Sequence, residues 1–144
     1  MKVLICDDDK CIVDEIKNNL NTFSDKHRIA FNIDLFYNGV ELLNSNISYD
    51  MAFIDIEMPL VNGLTLSAQL KKVNSNIIIF IITSHDAYLD DAMDLDVFRY
   101  LSKPIDNNRF FRALNTAINY YHSNTQIITL EYYDAVSYTH LRAH

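Results

Sequence analysis

The residues best suited to chemistry lie at separated positions, each directly after a short apolar run. Three consecutive aspartates, Asp7 to Asp9, follow the first run, and Asp55 follows the third. The hydroxyl pair Thr83-Ser84 and the dipeptide Lys103-Pro104 follow the fourth and fifth. Carboxylates gathered in one place repel each other, and a hard divalent cation such as Mg²⁺ (or Mn²⁺) relieves that repulsion. A nearby lysine and hydroxyl suit phosphoryl oxygens, so these residue types predict phosphoryl chemistry with Asp55 as a competent nucleophile.

The elements that must position these side chains follow from two hydrophobic periods. Short apolar runs alternate with stretches whose apolar residues recur at helical spacing, a pattern typical of an α/β fold with a parallel sheet. With right-handed crossovers, the expected product is a flavodoxin-like, doubly wound three-layer sandwich. The five predicted strands cover residues 3–6, 29–35, 51–54, 77–82 and 98–101, and the five helices begin near residues 12, 40, 66, 88 and 110.

The strand order follows from where the polar residues fall. Ligands of an open parallel sheet bind beyond the carboxyl ends of its strands. Four predicted strands end in candidate site residues, whereas the second ends in Tyr37-Asn38-Gly39. The order 2-1-3-4-5 explains this difference, because it leaves the second strand at an edge and gathers the other four ends around one pocket.

Composition narrows the class of protein. The 144 residues include 12 Lys+Arg and 19 Asp+Glu, a formal net charge of −7, which disfavours a nucleic-acid-binding surface on this chain. The two cysteines, Cys6 and Cys11, have neither zinc-site nor CxxC spacing, so we expect reduced thiols. No apolar run is long enough to cross a bilayer, and the N-terminus lacks a secretory signal, so we expect a soluble, cytoplasmic protein.

Taken in order, the motifs resemble a known family. They are Asp7-Asp8, the stretch Phe53-Ile-Asp55-Ile-Glu-Met-Pro59 with Gly63, the pair Thr83-Ser84, and Tyr100-Leu-Ser-Lys103-Pro104. This ordered set resembles the receiver domains of two-component response regulators. The resemblance covers about residues 2–122, and both the order and the spacing of the motifs agree.

The resemblance implies a metal-assisted phosphoacceptor site. Asp55 would accept the phosphoryl group from a sensor histidine kinase and would also contact Mg²⁺ with its carboxylate. Asp8 would bind the metal directly and Asp7 mostly through a water. The backbone carbonyl of Glu57 would complete the protein ligands. The domain would be a signalling switch and not an enzyme beyond its own phosphorylation and dephosphorylation at Asp55.

The resemblance also implies how the signal spreads. Lys103 would pair with the phosphoryl group and Thr83 would move to hydrogen-bond it, while Tyr100 would turn inward as an aromatic switch. The Lys103–Pro104 peptide bond would be cis. Glu57 and His85 would tune the lifetime of the phosphoryl group. Phosphorylation would shift the face formed by the fourth helix, fifth strand and fifth helix, through which a partner or a second copy would bind.

Other interpretations account for part of the same residues. A small phosphatase of the haloacid-dehalogenase type would use Asp7 as nucleophile and Asp9 as acid/base, with Thr83 at a later strand end. Against it, Lys10-Cys11 replaces the usual glycine-threonine turn, and Lys103-Pro104 has no role. Asp9 alone is typical of a helix-start carboxylate. A non-catalytic scaffold of the same fold would require an incomplete pocket.

The C-terminal segment follows a different pattern. Residues 1–122 form the predicted receiver domain, and Gln126 to Tyr133 alternate like a strand. Residues 123–134 resemble a linker and the first strand of a LytTR-type DNA-binding domain, as in AgrA- and LytR-like regulators, whose remainder is absent. Residues 135–144 are typical of translated cloning sequence. The alternatives are a short native tail and a stand-alone receiver that docks on another protein.

Overall fold

Strands and helices alternate along the chain in the computed structural model, which describes residues 1–84 and 89–141. The strands are β1 (Lys2–Cys6), β2 (Asn32–Phe36), β3 (Met51–Ile54), β4 (Ile78–Thr83) and β5 (Arg99–Ser102). The helices are α1 (Lys10–His27), α2 (Val40–Leu43), α3 (Gly63–Val73), α4 (Leu89–Asp94) and α5 (Asn107–Leu141). Of the described helices, none combines the length and the apolarity that crossing a bilayer requires.

The sheet is parallel throughout, and its strands are ordered β2-β1-β3-β4-β5, as the strand ends predict. Every residue of β3 and β4 is buried, because helices cover both faces of the sheet centre. The edge strand β2 is only half-buried. The fold is therefore the predicted flavodoxin-like doubly wound sandwich.

Two apolar layers flank the sheet. On one face, Phe53 of β3 stacks on Phe80 of β4 at 4.7 Å and on Phe110 at the start of α5 at 5.5 Å between ring centroids. Helix α1 buries one stripe, formed by Val13, Ile16, Leu20 and Phe23. The opposite layer joins the sheet to α2, α3 and α4 and includes Leu4, Cys6, Leu42, Ala52, Ile54, Leu66, Leu70, Ile79, Ile81 and Ala92.

Two helices next to the site begin at side-chain caps. Asp9 precedes α1, and its carboxylate accepts a hydrogen bond from the N–H of Cys11 at 2.9 Å. Asn62 precedes α3 and accepts from the N–H of Leu64 at 2.7 Å. Such caps satisfy backbone donors that have no partner in the first turn. They fix where each helix leaves the carboxyl edge of the sheet.

The predicted strand over Gln126–Tyr133 is wrong, because these residues belong to α5, which ends at Leu141. A solitary strand would leave its backbone donors and acceptors unpaired, whereas a helix pairs them within the segment. The chain divides into two compact units, Met1–Phe111 with the whole sheet and the part from Arg112 onward. The boundaries proposed for the receiver, linker and tail stay predictions.

Candidate functional site

Three site residues continue the hydrogen-bond ladder of the sheet by one residue. The N–H of Asp7 donates to the last carbonyl of β2, and the N–H of Asp55 donates to the last carbonyl of β1, both at 3.1 Å. The N–H of Lys103 donates to the carbonyl of Thr83 at 3.0 Å. The parallel sheet therefore fixes the main chain of these residues on one edge, which is why separate motifs converge.

Three carboxylates meet at this edge. Asp7, Asp8 and Asp55 each offer an oxygen, and these oxygens lie within 4.8 Å of one another. Asp7 is 1% exposed and Asp55 is 6% exposed, whereas Asp8 is open to solvent. The sequence prediction that these aspartates converge is confirmed. The cluster is therefore buried at Asp7 and Asp55 and reaches solvent at Asp8.

Lys103 bridges the two buried carboxylates. Its Nζ lies 2.9 Å from Asp7 Oδ2 and 3.1 Å from Asp55 Oδ2. Burial disfavours the charged ammonium, but hydrogen bonds and attraction from both carboxylates outweigh that effect and raise the pKa of Lys103. The lysine is therefore held in its charged form beside Asp55.

Burial has the opposite consequence at Asp7. Loss of hydration raises the pKa of the Asp7 carboxyl, and repulsion from Asp55 acts in the same direction. Lys103 and the N–H of Asp9, which donates to Asp7 Oδ1 at 2.9 Å, oppose this shift without cancelling it. The contacts that the protein makes with ionised Asp7 therefore do not fully offset the cost of burying its charge.

The donor set fits a divalent cation. Within the described part of the chain, the buried Oδ1 of Asp55 has no hydrogen-bond partner. Among the described residues of the site, three carboxyl groups surround one ammonium group, so their formal charges sum to two negative charges, which a divalent cation such as Mg²⁺ or Mn²⁺ would balance. Hard oxygen donors with an open side are typical of Mg²⁺ sites.

Gly63 shapes the loop that follows Asp55. A Cβ atom on Gly63 would lie 2.0 Å from the Asp55 carbonyl oxygen, so this position admits no side chain. The N–H of Gly63 also donates to the carbonyl of Ile56 at 2.8 Å. The start of α3 is therefore in close contact with the first residues of the β3–α3 loop (residues 55–62). Glu57, whose carbonyl was predicted to bind metal, lies on this loop with its side chain exposed.

The remaining predicted site residues lie on β4 and β5 or just beyond them. Thr83 is fully buried at the end of β4, and Tyr100 is half-buried on β5, next to the core. The Lys103–Pro104 peptide bond is cis, as predicted. His85 lies outside the described residues.

The capping role of Asp9 bears on the phosphatase interpretation. One Asp9 oxygen is engaged by the first turn of α1, and Asp7, the nucleophile of that interpretation, is ion-paired with Lys103. The helix-capping contact of Asp9 disfavours its use as the acid/base of a phosphatase. Lys103, which the phosphatase interpretation leaves without a role, lies instead at the centre of the site.

One contact at the site was not predicted from the sequence. The Sγ of Cys6 lies 3.7 Å from the Sδ of Met58 on the β3–α3 loop. Burial, with nearby aspartates, raises the pKa of the Cys6 thiol to about 12. The sequence places Cys6 directly before Asp7 and so near the site. No sequence pattern pairs Cys6 with Met58, which lies far along the chain.

Comparisons of sequence point to one family. A family model described as the response regulator receiver domain matches residues 3–115. The sensory transduction protein LytR of Staphylococcus haemolyticus is 34% identical over 118 residues, covering 80% of this chain and 44% of that protein. An uncharacterised response regulatory protein of Yersinia pestis is 30% identical over 116 residues, covering 79% and 47%. The chain thus spans about half the length of these curated relatives.

Solved structures share the fold. The response regulatory domain of protein mrkE from Klebsiella pneumoniae superposes with a TM-score of 0.76 at 24% identity, covering 85% of this chain and 99% of that one. The response regulator TrrA from Thermotoga maritima, solved with Mg²⁺-BeF, has a TM-score of 0.67 at 24% identity and covers 81% and 97%.

Proposed function

This chain belongs to the response regulator receiver domain family, and on that basis we propose that Asp55 is its phosphoacceptor. Receiver domains are the phosphoacceptor modules of two-component signalling. One observation carries the choice of residue: Asp55 lies in the acidic cluster and against Lys103, and among the described residues its Oδ1 has no hydrogen-bond partner. Both oxygens of Asp7 are in contact with the protein, because Oδ1 accepts from the N–H of Asp9 and Oδ2 lies 2.9 Å from Lys103 Nζ.

The proposed reaction is a transfer of a phosphoryl group from a phosphohistidine to Asp55. A carboxylate oxygen of Asp55 forms the new P–O bond while the P–N bond to the histidine breaks, and the departing imidazole nitrogen keeps the electron pair. Lys103 holds its positive charge where negative charge is carried by the phosphoryl oxygens. The chain would catalyse no turnover beyond its own phosphorylation and dephosphorylation.

Asp8, Asp55 and, through a water, Asp7 would hold Mg²⁺ or Mn²⁺ together with the Glu57 carbonyl. The cation would neutralise the crowded carboxylates and the phosphoryl oxygens when bound. The support in this chain is the convergence of the aspartate oxygens and the excess of negative charge. Asp7 also anchors Lys103 at 2.9 Å, which keeps the ammonium beside Asp55.

The response would be a shift between two conformations. Thr83 and Tyr100 would rearrange once Asp55 is phosphorylated and would change the surface formed by α4, β5 and α5. Glu57 and His85 would set how long the phosphoryl group survives. That surface would bind the next partner, which could be a second copy of the chain.

We also propose a division of labour along the parent protein, with residues 1–122 as receiver and residues 123–134 as linker. The support is that the curated relatives named above are about twice as long as this chain, and that one carries the name LytR. A sensor histidine kinase would supply the phosphoryl group in the cytoplasm, and a LytTR-type domain would bind DNA. Residues 135–144 would be a non-native tail.

Labelling with a small phosphodonor tests the choice of Asp55. The chain is incubated with radiolabelled acetyl phosphate with and without Mg²⁺, beside Asp55→Asn and Asp7→Asn variants. We expect labelling that requires Mg²⁺ and is lost in Asp55→Asn. Labelling that persists in Asp55→Asn and disappears only in Asp7→Asn would favour the phosphatase interpretation.

A gel-shift experiment tests the proposed division of labour. The acidic 144-residue chain is expected to shift no DNA in a sequence-specific way, because the DNA-binding role is placed in a separate domain. A specific shift at physiological salt would contradict that proposal.

A further inference from the structure

A sulfur contact joins the two segments that carry the acidic groups. Cys6 is the last residue of β1, is fully buried, and lies directly before Asp7. Its Sγ lies 3.7 Å from the Sδ of Met58, which follows Glu57 on the β3–α3 loop. A thioether has no hydrogen to donate, so the Cys6 thiol is the donor in this contact and Met58 the acceptor.

Met58 is one of two apolar side chains that anchor the first half of that loop, the other being fully buried Ile56. Glu57, Pro59 and Leu60 are exposed, and Leu60 is 88% exposed, whereas Met58 is half-buried and packs against the core. The hydrogen bond from Gly63 to Ile56 closes the base of the loop but lies outside residues 57–60. Glu57 therefore lies between fully buried Ile56 and half-buried Met58, and its carbonyl belongs to the peptide unit that joins it to Met58.

We propose that Cys6 is a positioning residue for the divalent cation, because its thiol holds Met58 and so fixes the Glu57 carbonyl at the edge of the acidic cluster. This inference rests on the proposed function, since that function places the cation there. Valine at this position would fill a similar volume without a donor. Serine would keep a donor at the expense of apolar packing.

Two substitutions of Cys6 separate positioning from packing. The Mn²⁺ dissociation constant is measured by electron paramagnetic resonance, and the thermal midpoint is measured without metal. We expect Cys6→Val to keep or raise the midpoint and to weaken Mn²⁺ binding about threefold, the size expected for one weak hydrogen bond. We expect Cys6→Ser to lower the midpoint while its Mn²⁺ affinity stays within about twofold of the unsubstituted chain.

Met58→Leu and a same-strand control complete the experiment. Met58→Leu is expected to weaken Mn²⁺ binding as Cys6→Val does, and the double variant is expected to bind no more weakly than either single one. Leu4→Val shortens a buried side chain of β1 on the same face as Cys6 and has no polar atom. It should lower the midpoint and leave the Mn²⁺ affinity unchanged.

Different results would overturn the proposed cation site and the positioning role of Cys6. If the unsubstituted chain binds no Mn²⁺, the proposed cation site fails and this inference falls with it. If that chain binds Mn²⁺ but Cys6→Val and Met58→Leu bind it equally well, the positioning role alone is refuted. An affinity that simply follows the thermal midpoint across all variants, including Leu4→Val, would also refute it.

Discussion

Burial and charge oppose each other at Asp7. Its carboxylate is almost fully enclosed, and the cation that the described residues place beside it, Lys103, is shared with Asp55. Because the folded state raises the pKa of Asp7, this group stabilises the fold at low pH and loses that contribution as pH rises through the raised pKa. At neutral pH, ionised Asp7 is a net destabilising element until a cation binds.

Neutralising Asp7 should therefore stabilise the metal-free protein. Asp7→Asn is expected to raise the thermal midpoint in EDTA and to diminish the further increase that Mg²⁺ produces by binding the folded state. Scanning calorimetry with and without Mg²⁺ measures both effects. Asp14→Asn, at an exposed aspartate of α1, is the matched control and should change neither value. A lower midpoint for Asp7→Asn in EDTA would contradict this account.

Lys103 affects the dependence of stability on pH at the alkaline end of the range. Its raised pKa means that its contribution is complete below the ordinary lysine value and is lost as pH rises through the higher folded value. We expect a fall in stability in that alkaline range. Lys103→Met should flatten this part of a denaturation profile measured against pH, while Lys72→Met, at an exposed lysine, should leave it unchanged. An identical alkaline fall in Lys103→Met would contradict the assignment.

Leu60 lies in a strained turn with little compensating burial. Its φ is 73°, the N–H of Val61 donates to the Pro59 carbonyl at 2.8 Å, and the side chain is 88% exposed. A left-handed backbone conformation costs a residue with a Cβ about 1–2 kcal/mol. This penalty is larger than the extra conformational entropy that glycine loses on folding. Leu60→Gly should raise the free energy of unfolding by about 0.5 kcal/mol.

Urea denaturation measures this gain, and Leu60→Ala is the control. Alanine keeps the Cβ and removes the rest of the exposed side chain, so its unfolding free energy should equal that of leucine. A gain with alanine as large as that with glycine would locate the effect in the side chain and not in the backbone.

At the level of elements, the β3–α3 connection leaves no room for a side chain at Gly63. A Cβ on Gly63 would lie 2.0 Å from a backbone oxygen, whereas the nearest atoms to a Cβ on Gly39, before α2, belong to the side chains of Val61 at 3.1 Å and Leu66 at 3.5 Å. Side chains move more easily than backbone. We expect Gly63→Ala to lower the free energy of unfolding by about 3 kcal/mol or more and Gly39→Ala by less than about 1 kcal/mol.

Equilibrium denaturation of both glycine variants checks this order. Mn²⁺ binding should also weaken in Gly63→Ala, because the main chain of Asp55 must move to admit the methyl group. Equal stability of the two variants would show that the close approach at Gly63 is not a constraint on the loop.

The strand ends were predictable because residue type and topology agree there. Asp7, Asp55 and Lys103 follow apolar runs. The backbone N–H of each donates to the carbonyl of the last residue of the neighbouring strand, so each one extends the parallel hydrogen-bond ladder by one residue. The convergence of the acidic site could therefore be predicted before any coordinates. Because parallel strands end at the same edge of the sheet, the clustering of the aspartates could be predicted without a sequence pattern that pairs distant side chains.

Element boundaries depend on individual hydrogen bonds that hydrophobic periodicity does not encode. Strand β4 begins one residue later than predicted, because the N–H of Ile77 donates to Asn74 in a turn. Strand β2 begins later as well, because Ile29 donates back to Ser24 at the end of α1. The alternation over Gln126–Tyr133 was misleading for a related reason, since a strand requires a neighbour that periodicity alone does not supply.

At the scale of the whole molecule, an acidic chain with a net charge of −7 concentrates three carboxylates at one sheet edge, where the described residues place one lysine beside them. Under the proposed function, a bound cation would supply the remaining positive charge and would also offset the negative charge of an arriving phosphoryl group. The parallel sheet brings the three carboxylates together, and the chain belongs to the receiver domain family.

Locating the phosphoryl group on the protein tests this account most directly. The chain is treated with acetyl phosphate and Mg²⁺, the acyl phosphate is reduced with borohydride, and the altered residue is identified by peptide mass spectrometry. We predict conversion of Asp55 to homoserine, with no conversion at Asp7 or Asp8. Conversion at Asp7 with Asp55 unchanged would contradict the central claim.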